Sequence, residues 1–334
     1  MKKLFFRSLL LALVVAIWSA EVFSQSSSKN LRIAYSVISG SSFPVWIAKE
    51  TKLFEKYGLN ADLVYIPSGS LSLQAMLGGN IHLIATASAP SILQARIQGA
   101  DPVLIGATNN TVTSFFMVTT DISKPQDLKG KTVGVSRFGA FSDTVLRYAL
   151  KKWGLEVGRD VTILQMGGIP EILAGMKAGL VSGGPLSPPT DLIARKGGYK
   201  ELVDFGQIFD YPQTCIAASR RYVLSSREEV RGYIKATIEA VHVMYTNKDL
   251  AMRIFGKYTR TADKEIQEAA YNTYLEKTDK IPYIKPSAVK LAIDLLAEND
   301  PKFRNAKPED FIDNSIVQEL EDSGFVKELY GRKN

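Results

Sequence analysis

An α/β protein of two lobes is predicted, each lobe an open, mostly parallel sheet covered by helices, with a helical C-terminal tail packed on lobe one. Three observations predict it. Short apolar runs alternate with helix-like stretches stopped by glycine, the rhythm of parallel strands joined by crossover helices. That rhythm occurs twice: Gly69 to Gly99 laid on Gly168 to Gly198 matches at eight of 31 positions, where composition alone gives roughly two. From Ser226 onward the strand-like runs cease and helical patterns follow one another.

In chain order, the first half reads as strand Leu31–Tyr35, helix Pro44–Tyr57 stopped by Gly58, strand Leu63–Ile66 and helix Ser70–Leu77. Strand Leu83–Ala85, helix Pro90–Gln98 and strand Val103–Ala107 follow. The second half repeats it: Thr132–Val135, Ser142–Lys152, Val161–Gln165, Pro170–Ala178, a weak strand at Gly184–Leu186, Pro189–Lys196 and Leu202–Asp204. Lys56-Tyr57-Gly58-Leu59 and Lys152-Trp153-Gly154-Leu155 punctuate both halves alike. In the tail, Ser226 and Glu229 form a capping box for a helix to about Tyr245. Further helices are expected at Lys248–Lys257, Asp263–Lys277, Ser287–Glu298 and Glu309–Leu320. Thr214–Ser219 and Phe115–Thr119 read as paired crossovers. The expected division is therefore 31–115 plus 219–334 for lobe one and 116–218 for lobe two, with a crossover segment at each end of the latter.

The first 24 residues are a separate object. Lys2, Lys3 and Arg7 precede an unbroken apolar run from Leu9 to Trp18, and Val22-Phe23-Ser24 offers a cleavage site before Gln25. Ten helical residues span about 15 Å of a roughly 30 Å hydrocarbon core, so the segment is read as a secretory signal and not an anchor. No cysteine stands near the cleavage site to take a lipid. The 334-residue chain carries +7; removing Lys2, Lys3, Arg7 and Glu21 leaves 38 basic and 33 acidic residues. A modest positive excess suits an anionic ligand. The basic residues form no stripe interleaved with aromatics, which argues against nucleic acid.

Ligands of open parallel sheets bind beyond the carboxyl ends of the strands, where helix N-termini point. Those loops are rich in glycine and hydroxyl residues in both halves. The candidate ligand-binding residues are Ser41, Ser42, Phe43, Gly69, Ser70, Thr86 and Ser88 in lobe one. Arg137, Phe138, Ser142, Gly168 and Ser187 are their counterparts in lobe two. Backbone N–H groups and hydroxyls suit a small anion, Arg137 adds a charge-assisted bond, and Phe43 and Phe138 wall an apolar part. Helix capping and turn formation are the alternative use of the same Ser, Thr and Gly residues. Trp46 on a helix face reads as core.

Catalytic, metal and cofactor sites are not expected. Gly130-Lys131-Thr132 resembles the end of a phosphate loop, but Pro125 stands where the first glycine belongs and a strand follows instead of preceding. Gly134 to Gly139 has one residue too many for a nucleophile elbow. Cys215 lies in an apolar segment, and His82 and His242 lack ligand spacing.

At Pro44-Val45-Trp46-Ile47-Ala48-Lys49-Glu50, Leu53-Phe54-Glu55-Lys56-Tyr57-Gly58-Leu59, Leu77-Gly78-Gly79-Asn80-Ile81-His82 and Asp127-Leu128-Lys129-Gly130-Lys131-Thr132-Val133-Gly134-Val135 the chain resembles a known family. It is that of the ABC-importer solute-binding proteins for nitrate, taurine and aliphatic sulfonates, which includes thiamine-precursor binders. The resemblance implies a type II periplasmic-binding fold and lobes that close on a small-molecule ligand. It also implies a periplasmic, monomeric protein that delivers its ligand to an ABC permease in the inner membrane. His82 stands where the family usually has Asp, and Gly183 where an acidic residue is frequent, so ligand identity does not carry over. The same scaffold also serves a pyrimidine-synthase-like enzyme, whose iron site needs more Cys and His than one and two, and ligand-sensing subunits of membrane receptors. The mature protein is expected to begin at Gln25. Intact-mass analysis of exported protein checks this, and membrane-bound protein retaining residues 1–24 contradicts it.

Overall fold

The computed structural model describes residues 30–208, 211–298 and 300–331; the expected signal segment and its cleavage site lie outside them. The first lobe opens with β1 (Leu31–Tyr35), α1 (Phe43–Glu50), α2 (Leu53–Lys56), β2 (Ala61–Tyr65) and α3 (Gly69–Leu77), then β3 (Leu83–Ala87), α4 (Ala89–Ile97) and β4 (Pro102–Asn109). The second contains β5 (Phe115–Val118), β6 (Lys131–Val135), α5 (Phe141–Lys152), β7 (Val161–Gln165) and α6 (Ile169–Lys177), then β8 (Gly183–Leu186), α7 (Thr190–Lys196) and β9 (Lys200–Asp204). After β10 (Thr214–Ser219) the tail is helical: α8 (Arg220–Ser225), α9 (Arg227–Thr246), α10 (Lys248–Thr259), α11 (Lys264–Lys277), α12 (Pro286–Ala297), α13 (Ser315–Asp322) and α14 (Phe325–Gly331).

The first sheet has the order β2-β1-β3-β10-β4. β1 runs parallel to β2 and β3, and β10 is inserted antiparallel between β3 and β4. In the second lobe β5 is inserted antiparallel between β8 and β9, and β6 pairs parallel with β7. The Ser182 N–H donates to the Thr132 carbonyl at 2.7 Å, as the His82 N–H donates to the Arg32 carbonyl at 3.0 Å one hundred residues earlier. The two halves are thus built alike, β8 lying against β6 as β3 lies against β1. Helices begin with Pro44, Pro90 and Pro170 in their first turns, where the missing N–H costs nothing. They end in left-handed glycines such as Gly79 (φ 74°) and Gly179 (φ 71°), a conformation that would strain a side chain.

Four expectations are corrected. The single helix expected over 44–57 breaks, because Lys52 is left-handed (φ 57°) and the Thr51 hydroxyl turns back to the Ile47 carbonyl at 2.6 Å. The capping box at Ser226 does not form: Ser226 joins α8 to α9 without a side-chain cap, and the Tyr222 hydroxyl donates to Glu229 instead. The last expected helix starts late, since Pro308–Asp310 forms a 3-10 turn ahead of α13, and α14 was not foreseen. Finally, the crossovers are strands inside the sheets. β10 pairs with β3 and β4, so residues 214–218, assigned to lobe two, pair in the first sheet, while Phe115 pairs in the second.

The tail supplies the outer core of the first lobe. Phe43 stacks on Phe255 at 4.8 Å, Trp46 on Tyr258 at 4.8 Å and Phe54 on Tyr233 at 6.0 Å. All three first-named rings are fully buried. The glycines of β8 have an equally mechanical reason. A Cβ on Gly184 would lie 2.5 Å from the Gly134 carbonyl oxygen, and one on Gly183 would lie 2.6 Å from that of Met117. Only bare backbone lets β8 sit so close to β5 and β6. Gly184→Ala is therefore expected to destabilise the protein by about 1–3 kcal/mol through overpacking, read as a lower midpoint in urea; an unchanged midpoint contradicts the close approach.

Candidate functional site

Both sets of strand ends face one cavity of about 50 Å³, several times the roughly 10–15 Å³ that one water requires. The lobes meet around it. The Gly40 N–H donates to the Pro188 carbonyl at 3.3 Å, and the Ser91 hydroxyl donates to the Gly139 carbonyl at 2.7 Å. Lys196 in α7 also bridges to Asp263 at 2.6 Å and Glu265 at 2.9 Å at the start of α11. Eleven of the eighteen lining residues are Ser or Thr, and among the described residues no charged side chain lines the cavity. The first turns of α3, α4, α5 and α6 reach it through Gly69, the N-cap Ser88, Ser142 and Ile169. Each such turn leaves N–H groups without intrahelical partners.

The hydroxyls are polarised by the protein. The Ser36 N–H donates to Thr86 Oγ1 at 2.7 Å, and the Ser136 N–H donates to Ser142 Oγ at 2.9 Å. Ser36 spends its own proton on the Thr86 carbonyl at 2.6 Å. Ser136 and Ser142 share one O–H···O bond at 2.8 Å, so one proton of that pair is left over. Ser39 Oγ accepts from the Ser41 N–H at 3.3 Å and from the Tyr274 hydroxyl at 3.4 Å. Ser41 Oγ accepts from the Gln213 amide at 3.2 Å. The Thr86 hydroxyl donates in turn to Ser36 Oγ at 2.9 Å, so the protons left over are those of Ser41 and of one member of the Ser136–Ser142 pair. Ser88 Oγ and Thr214 Oγ1, both buried on the cavity wall, have no hydrogen-bond partner among the described residues. Burying such a group unpaired costs about 1–3 kcal/mol, a cost that a ligand carrying acceptors removes.

Six of the twelve candidates line the cavity: Ser41, Gly69, Thr86, Ser88, Ser142 and Ser187. The other six do not. Ser42 is fully buried and donates to the Val37 carbonyl at 2.7 Å. Phe43 belongs to the core because α1 begins at that residue and turns it inward onto Phe255. Ser70 bonds Ser68 at 2.8 Å, one position back on the lining. Arg137 is half-buried with Nε unpaired, and Phe138 is 47% exposed with the Arg147 guanidinium 5.5 Å from its ring. Gly168 is the N-cap of α6, where a Cβ would meet Glu171 Oε2 at 2.5 Å. The wall also holds Ser36, Ser68, Ser136, Phe141, Gln213 and Thr214, which are not among the twelve; Ser68 and Ser136 lie in the loops expected to meet a ligand, while Gln213 and Thr214 carry no such signal.

Titratable groups stand back from the cavity. Asp191, 1% exposed at the start of α7, has burial pushing its carboxyl up to about 6, against the pull of Arg195 at 3.6 Å. Burial pushes the Cys215 thiol up to about 12, far from a thiolate at neutral pH. His82 Nδ1 accepts from the Arg32 N–H at 2.9 Å, and His242 packs edge-on to Tyr330 at 5.0 Å.

The NMT1/THI5-like family model matches residues 40–251. The taurine-binding periplasmic protein of Escherichia coli K12 is 27% identical over 234 residues, covering 69% of this chain and 71% of that one. Two solved structures share the fold. The periplasmic nitrate-binding protein NrtA of Synechocystis PCC 6803 superposes with a TM-score of 0.75 at 13% identity, over 88% of each chain. The periplasmic aliphatic sulphonate-binding protein SsuA of Escherichia coli gives 0.65 at 22% identity, over 85% of this chain and 92% of that one. With 212 of its 334 residues inside the family model, the chain belongs to the NMT1/THI5-like family and has the fold of the periplasmic solute-binding proteins of ABC importers.

Proposed function

We propose that this protein captures, in the periplasm, a small solute bearing an oxoanion or similarly acceptor-rich group and hands it to an ABC permease. The observation that carries the ligand class is the cavity wall, uncharged yet donor-rich, with two buried hydroxyls awaiting partners. A cationic ligand finds no carboxylate on it. An anion meets converging N–H and O–H groups, and the four helix starts favour it by roughly 0.3–1 kcal/mol each. The names of the relatives, for taurine, aliphatic sulphonates and nitrate, point the same way. Binding without turnover is supported by a wall of hydroxyls and one amide, with no His, Lys, Cys or carboxylate among its described residues to serve as a base. Entry requires the lobes to part. The two connections that precede β5 and β10 are the hinge of this reading, with lobe one taking β1–β4, β10 and the tail.

Protein comprising residues 25–334 is expected to be stabilised by taurine, ethanesulfonate or nitrate, by about 2.7 kcal/mol at one hundred times the dissociation constant. Thermal-shift assays followed by calorimetry check this; stabilisation by choline or glycerol but by none of the three anions overturns the ligand class. Ser88→Ala and Ser142→Ala should part company. Ser88 has no protein partner to lose, so its substitution weakens anion binding by about 0.5–1.5 kcal/mol while the melting temperature of ligand-free protein holds or rises, the unpaired hydroxyl being gone. Ser142→Ala strips the Ser136 N–H of its acceptor and should cost about 1–3 kcal/mol of folding stability as well, measured by urea denaturation without ligand.

A further inference from the structure

We propose that Gln213 is a positioning residue that fixes Ser41 as a hydrogen-bond donor to the ligand and ties that contact to the hinge. The proposal rests on the reading of an acceptor-bearing ligand. Gln213 lies just before β10 and Thr113 just before β5, one on each connection between the lobes. Both are buried, with Gln213 9% and Thr113 2% exposed. Gln213 Oε1 accepts from the Thr113 N–H and from the Thr113 hydroxyl at 3.1 Å. Two donors on one atom identify it as the oxygen, which leaves the NH₂ end of the amide no choice of direction. That end donates to Ser41 Oγ at 3.2 Å.

The consequence lies in the Ser41 proton. With a lone pair of Ser41 Oγ engaged by Gln213, the hydroxyl must give its hydrogen elsewhere. The other polar atom beside it is Tyr274 Oη at 3.5 Å, well beyond the 2.5–3.0 Å of a good O–H···O bond. An acceptor in the cavity takes the proton at normal distance. Ser41 sits in the turn Gly40–Ser42, whose Gly40 N–H already reaches the Pro188 carbonyl of the other lobe. One amide therefore joins both hinge connections to the loop that meets the ligand and the opposite lobe. Without it, Ser41 is a hydroxyl of either polarity on a turn held by the Gly40–Pro188 and Ser42–Val37 bonds but no longer tied to Thr113. Gln213 thus biases the site toward acceptors, a specificity that a count of serines does not reveal.

Gln213→Glu separates this role from simple packing. A carboxylate keeps both Thr113 bonds but accepts where the amide donated, so it draws the Ser41 proton away from the cavity. Calorimetry with ethanesulfonate on Gln213→Glu, Ser41→Ala and the double variant should show at least a tenfold loss for Gln213→Glu alone. In the Ser41→Ala background, where only the added negative charge still acts, the same change should cost threefold or less. Equal losses in both backgrounds, or no loss, overturn the proposal. Amide hydrogen exchange of ligand-free protein is a second readout that needs no ligand. Gln213→Leu should speed exchange in residues 39–43 as well as 112–115, and unchanged protection at 39–43 removes the tether. If ethanesulfonate fails to bind the unaltered protein, the acceptor-ligand reading and the donor role fall with it, while the exchange result still decides the link between hinge and loop.

Discussion

The antiparallel strand inside each sheet is the constraint on which the rest depends. β10 fills the slot between β3 and β4, paired on both sides and buried from Thr214 to Ala218. Its residues follow the whole second lobe in sequence, so the first sheet cannot close until the chain has gone out and returned. β5 does the same service between β8 and β9 immediately after the outward crossing. Two connections therefore run side by side, each ending in a strand that its lobe cannot do without. Both connections thus tie each lobe to a strand inside its own sheet. The cavity between them is fixed by the same geometry, because the parallel strands of both sheets end at it.

An antiparallel insertion also changes which residues reach that edge. A parallel strand offers its carboxyl end to the cavity; an inserted antiparallel strand offers its beginning. Thr214 opens β10 opposite Asn109 at the end of β4, and Ser114 stands just before β5, whose first residue pairs with Leu186 at the end of β8. Gln213, Thr214 and Ser114 are illegible in the sequence for this reason, since the loops that follow parallel strands do not contain them. Ser41, Thr86, Ser88, Ser142 and Ser187 were legible because they do follow such strands. Gly168 was misplaced by a register slip. The halves align at a spacing of one hundred from β1 and β6 through the N-caps Ser68 and Gly168, and at ninety-nine from Ser88 and Ser187 onward, β8 being one residue shorter than β3. A single spacing of ninety-nine paired Gly168 with Gly69, which lines the cavity, instead of Ser68, the true counterpart. Arg137 stands one residue beyond Ser136 in the bend that follows β6, and the bend carries it off the wall that Ser136 lines.

The absence of a cation from the wall is consistent with a carrier that must also release. A guanidinium beside a buried anion contributes roughly 1.5–3 kcal/mol per charge-assisted bond and is expensive to separate again. Neutral donors spread the same work over many smaller terms, each cancelled by water when the lobes part. The ordered hydroxyls reduce the entropic cost of binding because their directions are set before the ligand arrives: Thr86 by the Ser36 N–H, Ser142 by the Ser136 N–H, Ser41 by Gln213. Among the charged pairs that join the lobes, Lys196 faces Asp263 and Glu265 with its side chain 53% exposed. Pairs that exposed are worth about 0–1 kcal/mol.

Without ligand the lobes are joined by the Gly40–Pro188 and Ser91–Gly139 bonds, by ion pairs of Lys151 and Lys196 with the tail, and by a buried apolar cluster that includes Ile92 and Leu104 of one lobe and Val133 and Val145 of the other. Against them stand the unpaired Ser88 and Thr214 hydroxyls and the carboxyl of Asp191. Burial raises the pKa of the Tyr274 hydroxyl in the first lobe, and the charge of Asp191 adds a smaller push in the same direction. Because burial raises the Asp191 pKa to about 6, the ionised form opposes the buried arrangement above that pH, and the opposition fades as pH falls through it. A ligand that satisfies two hydroxyls and several helix-start N–H groups supplies roughly a few kcal/mol. Moving a two-state equilibrium from 1:99 to 99:1 takes about 5.5 kcal/mol. On the function proposed above, an occupant that meets most of these donors therefore shifts the population of the shut form by a large part of that range.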